Sequence, residues 1–142
     1  MMKRIRSIVA VAAVGTGLVA AWCLGAAYAS ANQDDKAKAL SAIMRKKLDA
    51  SSQILEGLCI EDADMIIAGA NSLGEAMGKP ELLAVFRDAE YREHNREFRE
   101  ITRRLSEAAK AKNFDQATLR WVDGVMSCIE CHNHTRNAKK EQ

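Results

Sequence analysis

Residues 108–136 read AAKAKNFDQATLRWVDGVMSCIECHNHTR and end in a pattern that combines two cysteines with a histidine. Cys128 and Cys131 lie three positions apart, about one turn of a helix, and His132 follows directly. This C-x-x-C-H pattern is typical of c-type haem attachment. Each thiol can form a thioether to one vinyl group, and the imidazole can then bind the iron as an axial ligand. The sequence therefore predicts one covalently bound haem c, with His132 as the proximal iron ligand.

The same residues allow a second chemistry. Thiolate and imidazole groups also bind zinc, and a C-x-x-C pair can act as a thiol redox centre. Such a site would use Cys128, Cys131 and either His132 or His134, although His134 is expected to be exposed. The histidine directly after the second cysteine favours haem, and the zinc or redox module stays as an alternative.

The N-terminal segment has the organisation of a secretory signal peptide. Three basic residues lie within the first six, residues 8–24 are almost continuously apolar, and small residues occupy positions 29–31. These are the charged, apolar and cleavage-site regions of an export signal. We expect a leader over residues 1–31, a haem domain over residues 32–142, and a periplasmic location. The apolar run is long enough that an uncleaved membrane anchor is the alternative.

Cleavage would change both the charge and the number of cysteines. The chain has 21 Lys+Arg and 19 Asp+Glu, and the loss of three basic residues leaves 18 against 19. The resulting formal charge of −1 argues against nucleic acid as a partner. Three of the four cysteines would remain, and two of these are assigned to haem. Cys59 is then unpaired; we expect a buried thiol there, with an intermolecular disulfide as the alternative.

Composition and periodicity predict an all-α domain. Pro80 is the only proline, aromatic residues make up 5% of the chain, and strand-type alternation is missing. Apolar residues instead recur at three- and four-residue steps, which indicates helices with one buried face. Short connections between such helices predict an antiparallel four-helix bundle. The predicted helices are Asp35 to Leu58, Glu61 to Met77, Glu90 to Ala111 and Gln116 to Arg136, with Asp115 as the N-cap of the last and a short apolar segment at residues 82–86.

The bundle topology places the covalent haem near the C-terminal end of the fourth helix. Counting back along the third helix from the turn between the two reaches His94 and Phe98, and we expect His94 to be a core or boundary residue. The first helix begins at the same end, so Met44 is expected beside the haem. Leu48, one turn further along, is expected to be a non-ligating neighbour. Trp121 is expected to pack in the core beside the haem.

Residues 108–136 resemble the final helix pair of the cytochrome c′ family, and Ile43-Met44-Arg45 resembles the distal segment of that family. The resemblance extends over essentially all of Asp35 to Arg136 and is most specific in its last thirty or so positions. It implies a four-helix bundle with one haem, Met44 opposite His132, and Arg136 near the proximal pocket. Core packing by Met44 and a solvated helix end at Arg136 are the alternatives.

The predicted function is one-electron transfer by an exported monohaem cytochrome with His132 and Met44 on the iron. A thioether ligand would raise the reduction potential and complete a low-spin site. The alternative is a five-coordinate protein that binds nitric oxide or carbon monoxide, with Met44 crowding a vacant sixth position. A redox partner protein is expected, and a homodimer through an exposed helix face is compatible with such a bundle. The sequence offers no acid–base pair or activated nucleophile, so no enzymatic turnover is expected.

Overall fold

The computed structural model describes residues 33–138. The predicted leader over residues 1–31 lies outside the described residues, as does its alternative as a membrane anchor. Within the described range, no helix is long and apolar enough to cross a membrane.

Most described residues belong to four long helices and one short helix, and no strand occurs among them. The helices are α1 (residues 33–59), α2 (Ala63–Met77), α3 (Pro80–Val85), α4 (Ala89–Lys110) and α5 (Phe114–Ala138). The all-helical prediction is confirmed, and each long helix begins and ends within two residues of its predicted bounds. The apolar segment at residues 82–86 contributes to α3, which starts at Pro80 because proline suits the first turn of a helix.

The described residues fall into two units, which divide between Ala39 and Leu40. Of the first unit, residues 33–39 are described, and they are helical. In the second unit, α4 packs against both α2 and α5. Apolar side chains from every helix of this unit are buried in its core, among them Ile43, Ile54, Ile66, Leu73, Leu82, Phe98, Leu105 and Ala117.

The start of α5 differs from the predicted start in its capping residue. Asn113 caps the helix, because its side-chain oxygen accepts a hydrogen bond from the backbone N–H of Gln116 at 3.0 Å. Lys112 has a φ of 54°, in the left-handed region, so the chain has already turned when it reaches Asn113. Asp115 lies in the first turn of α5, where a carboxylate is favoured by the helix dipole. The prediction of Asp115 as the N-cap is therefore wrong by two residues.

The contact between α1 and α2 depends on Gly69. A Cβ atom at this position would lie 2.6 Å from Cγ1 of Ile54 and 2.8 Å from the carbonyl oxygen of Ala50. Both neighbours belong to α1, and the side chain of Ile54 is fully buried. The two helices therefore approach each other so closely at position 69 that there is room for glycine but not for a side chain.

We expect Gly69→Ala to lower the free energy of unfolding by roughly 1–3 kcal/mol, the usual range for overpacking a core. Gly124→Ala is the matched control, because a Cβ atom there would lie 3.7 Å from its nearest neighbour, Cγ2 of Ile101. The higher helix propensity of alanine should leave the control equally stable or stabilise it by up to about 1 kcal/mol. Urea denaturation measures both variants. Equal stability of the two would contradict the close contact between α1 and α2.

Candidate haem site

The C-x-x-C-H residues lie on α5 at a cavity inside the bundle. Cys128 and Cys131 are half-buried, whereas His132 is more exposed. All three side chains line this cavity, which has a volume of about 250 Å³. Helical spacing explains why the cysteines share it, since residues three positions apart lie on the same face. A group attached to both thiols would therefore be partly enclosed by the bundle.

The other walls of the cavity come from α1, α2 and α4 and are mostly apolar. Met44 and Lys47 line it from α1, Met77 from the end of α2, and Phe98 from the middle of α4. Met77 and Phe98 are buried, and Met44 is half-buried against the same core. A space between the helices of a bundle is where such folds commonly hold cofactors.

The structure divides the remaining predicted site residues into two groups. Met44, Phe98 and Arg136 line the cavity together with the C-x-x-C-H residues. Leu48 is 55% exposed and does not line the cavity. Trp121 borders a smaller neighbouring cavity, and its indole N–H is buried without a hydrogen-bond partner among the described residues. The functional roles assigned to these five residues stay predictions.

Two expectations about exposure are wrong. Cys59, expected to be a buried thiol, is exposed at the end of α1. His134, expected to be exposed, has a side chain that is 15% exposed. Its Nε2 lies 2.9 Å from Oδ1 of Asp88, and its Nδ1 lies 3.3 Å from the carboxylate of Glu90. These neighbours come from the start of α4, so the pattern of α5 alone does not indicate them.

Asp88 connects the start of α4 to α5 through one carboxylate oxygen. This oxygen accepts a hydrogen bond from the backbone N–H of Tyr91 at 2.7 Å and is also the one that contacts His134. The N–H of Tyr91 lowers the pKa of Asp88, and the hydrogen bond with His134 lowers it further. The N-cap role can be read from an aspartate directly before a helix. The partner on α5 cannot, because it lies 46 positions away.

Tyr91 is a buried cavity residue that sequence patterns did not single out. Its side chain is 2% exposed, and its ring stacks on Phe86 with 4.8 Å between the ring centroids. Both rings line the cavity. Burial is the main reason that the pKa of Tyr91 rises to about 12. A tyrosine in the first turn of a helix can face either the core or solvent, so its position carries no clear signal.

Burial also affects the ionisable groups of the C-x-x-C-H pattern. It raises the pKa of the Cys128 and Cys131 thiols, while the positive charge of Lys47 acts in the opposite direction. For His132, burial lowers the pKa, and the charges of Lys47 and Arg136 lower it further. The imidazole is therefore neutral at pH 7, which is the form that donates a lone pair to a metal.

The cavity fits a haem in charge as well as in donor atoms. Lys47 and Arg136 bring two positive charges to it, and no carboxylate is among the described side chains that line it. Haem is a flat apolar ring with two carboxylates, so apolar walls and two cations match it. Within residues 33–138, no group of three or more His, Cys, Asp or Glu side chains could hold a metal ion by itself.

Comparison with known proteins bears on the fold. Neither a family model nor a curated protein matches the chain. Among solved structures, the chain is similar to a ferrous variant of the cytochrome c prime from Alcaligenes xylosoxidans, with a TM-score of 0.57 and 19% identity. The similarity covers 70% of this chain and 93% of that chain. It confirms the predicted cytochrome c′-like four-helix bundle.

The phenol of Tyr91 provides a test of the packing at the cavity. In the predicted mature domain, Tyr91 is the only tyrosine, because the second one, Tyr28, lies in the leader. We expect its ionisation to have a midpoint near pH 12 instead of the usual 10, as measured by the absorption of the tyrosinate. Because the folded-state pKa is raised, the stability from neutral Tyr91 is complete below pH 10 and is lost as the pH rises toward 12.

Tyr91→Phe is the control for this titration, because it keeps the ring against Phe86 and removes the ionisable group. The variant should show no tyrosinate signal and a smaller loss of stability between pH 10 and 12 than the unaltered protein. A midpoint near pH 10 in the folded, unaltered protein would contradict the burial of the phenol.

Proposed function

We propose that this protein is an exported monohaem c-type cytochrome that carries one electron. Cys128 and Cys131 would attach the haem through thioethers, His132 would ligate the iron, and Met44 would supply the second axial ligand. One observation carries the proposal. Met44, which is distant in sequence from the two thiols and His132, lines one cavity with them in a cytochrome c′-like bundle.

Each of these residues has a defined task in the proposal. The thiols on successive turns of α5 would fix the haem at two points, and neutral His132 would donate its lone pair from the following position. Met44 reaches the same cavity from α1, so a thioether from a different helix is available to the iron. When bound, haem would supply a couple between ferric and ferrous iron.

The apolar walls of the cavity would raise the reduction potential of the haem iron. Phe98 and Met77 are each 2% exposed, so they would keep water from the part of the site that they cover. A water-poor surrounding and a methionine ligand both favour the ferrous state, because they disfavour the extra positive charge of ferric iron. Electron transfer needs no acid–base residue. The reaction partner would be a second redox protein.

Export belongs to this proposal as well. A leader over residues 1–31 would direct the domain over residues 32–142 to the periplasm, where haem can be joined covalently to thiols. The same compartment would contain the redox partner. A homodimer is compatible with this role and is not required for it.

The axial ligation is tested by absorption spectra of the purified haem protein with and without carbon monoxide. We expect low-spin ferrous haem whose spectrum does not shift with carbon monoxide at ordinary concentrations, because Met44 occupies the sixth position. Met44→Leu should convert it to a high-spin form that binds carbon monoxide at once. Met77→Leu is the matched control, since it makes the same change at another methionine of the cavity and should leave the haem low-spin.

The opposite result would support a different function. High-spin haem that binds carbon monoxide immediately in the unaltered protein would mean that Met44 only packs against the site. The protein would then be a five-coordinate cytochrome that binds nitric oxide or carbon monoxide.

A further inference from the structure

Lys47 brings a charged group into the cavity from the core-facing side of α1. Its ammonium nitrogen lies 3.2 Å from Sδ of Met77 and 4.5 Å from the centroid of the Phe98 ring. Both partners are neutral, and both line the same cavity. A thioether is a weak hydrogen-bond acceptor, and a ring face attracts a cation only modestly. These contacts hold the ammonium in place without neutralising it.

Among the described residues, no carboxylate compensates the charge of Lys47. Lys47 forms no ion pair with any residue in the range 33–138. The exposed arginines of α4 behave differently, since Arg96 pairs with Glu93, and Arg103 pairs with Glu100. A cation that is partly removed from water gains stability from a nearby anion. An anion beside Lys47 would therefore be stabilised by the ammonium charge.

The charge of Lys47 also acts across the cavity. Cys128, Cys131 and His132 on α5 line the same cavity as Lys47. The ammonium is therefore close enough to α5 to influence a group bound between the two helices. In a poorly hydrated space such an influence is stronger than at the surface.

We propose that Lys47 is an anion-binding subsite of the haem cavity. It would hold a carboxylate or a small inorganic anion against its ammonium, with Met77 and Phe98 positioning the side chain. This inference rests on the proposed function, because the haem completes the cavity. The anion could come from two sources that share a negative charge. One is a propionate of the haem itself, and the other is a free anion that enters beside the iron.

A free anion is tested on the ferric haem protein with azide, which is an anion, and imidazole, which is neutral. Both probes bind at the same iron position, so each must displace Met44. The free-energy cost of this displacement largely cancels in the ratio of the two dissociation constants, and this ratio is compared between variants. Lys47→Met should weaken azide relative to imidazole by at least about tenfold, the effect of one charge-assisted hydrogen bond. Lys46→Met is the matched control, because Lys46 is exposed on the same helix, and it should leave the ratio unchanged.

Lys47→Arg separates charge from packing. It keeps the positive charge while changing the shape of the side chain, so it should retain most of the preference for azide. Melting temperatures of the three lysine variants show whether the bundle is intact.

A propionate is tested by the dependence of the midpoint potential on pH. If Lys47 pairs with a propionate, the azide ratio stays unchanged, and Lys47→Met moves the inflection of that carboxyl group to higher pH. Lys46→Met should not move it.

Either result supports the subsite and identifies its anion. Identical behaviour of Lys47→Met and Lys46→Met in both measurements would overturn it, provided that haem is present. Absence of haem from the unaltered protein would instead overturn the proposed function, and the subsite with it.

Discussion

The side chains of Cys128, Cys131 and His132 on α5 must all reach one space that other helices enclose. The rest of the structure depends on this constraint. The spacing of Cys128 and Cys131 satisfies it only if α5 keeps one orientation about its axis. Two contacts maintain that orientation. The body of the helix packs against α4, and the link from Asp88 to His134 holds its last turns. Because these contacts act on the body and the end of the helix, the site is fixed by the bundle and does not depend on a flexible loop.

The electrostatics of the cavity follow from the same enclosure. Burial raises the pKa of the Tyr91 phenol and lowers that of the His132 imidazole, and both shifts favour the neutral form. Lys47 and Arg136 are the charged residues that remain among the described lining side chains, and both are positive. A covalently attached haem would bring two carboxylates and would thus offset this charge. The cavity is therefore complementary to haem in polarity and charge.

Sequence patterns predicted the framework well because helix formation and burial have periodic signatures. The stripes of apolar residues located all four long helices, and the turn between α4 and α5 placed Phe98 at the level of the cysteines.

Patterns were less informative about Lys47. Ile43, Ala50 and Ile54 form the buried face of α1, and Lys47 lies at the matching helical position between them. A stripe of apolar residues does not mark a lysine in its register, and it does not exclude Leu48, an apolar residue outside the register that is exposed. The contact of Asp88 with His134 and the burial of Tyr91 depend on tertiary packing, so no local pattern could reveal them.

Covalent attachment of haem is the claim on which the proposed function depends, and mass spectrometry of the exported, denatured protein tests it most directly. The result we predict is one haem per chain that survives denaturation, located by peptide mapping on the segment that contains Cys128 and Cys131. The contradicting result is the mass of the bare polypeptide, with both thiols free to react with an alkylating reagent.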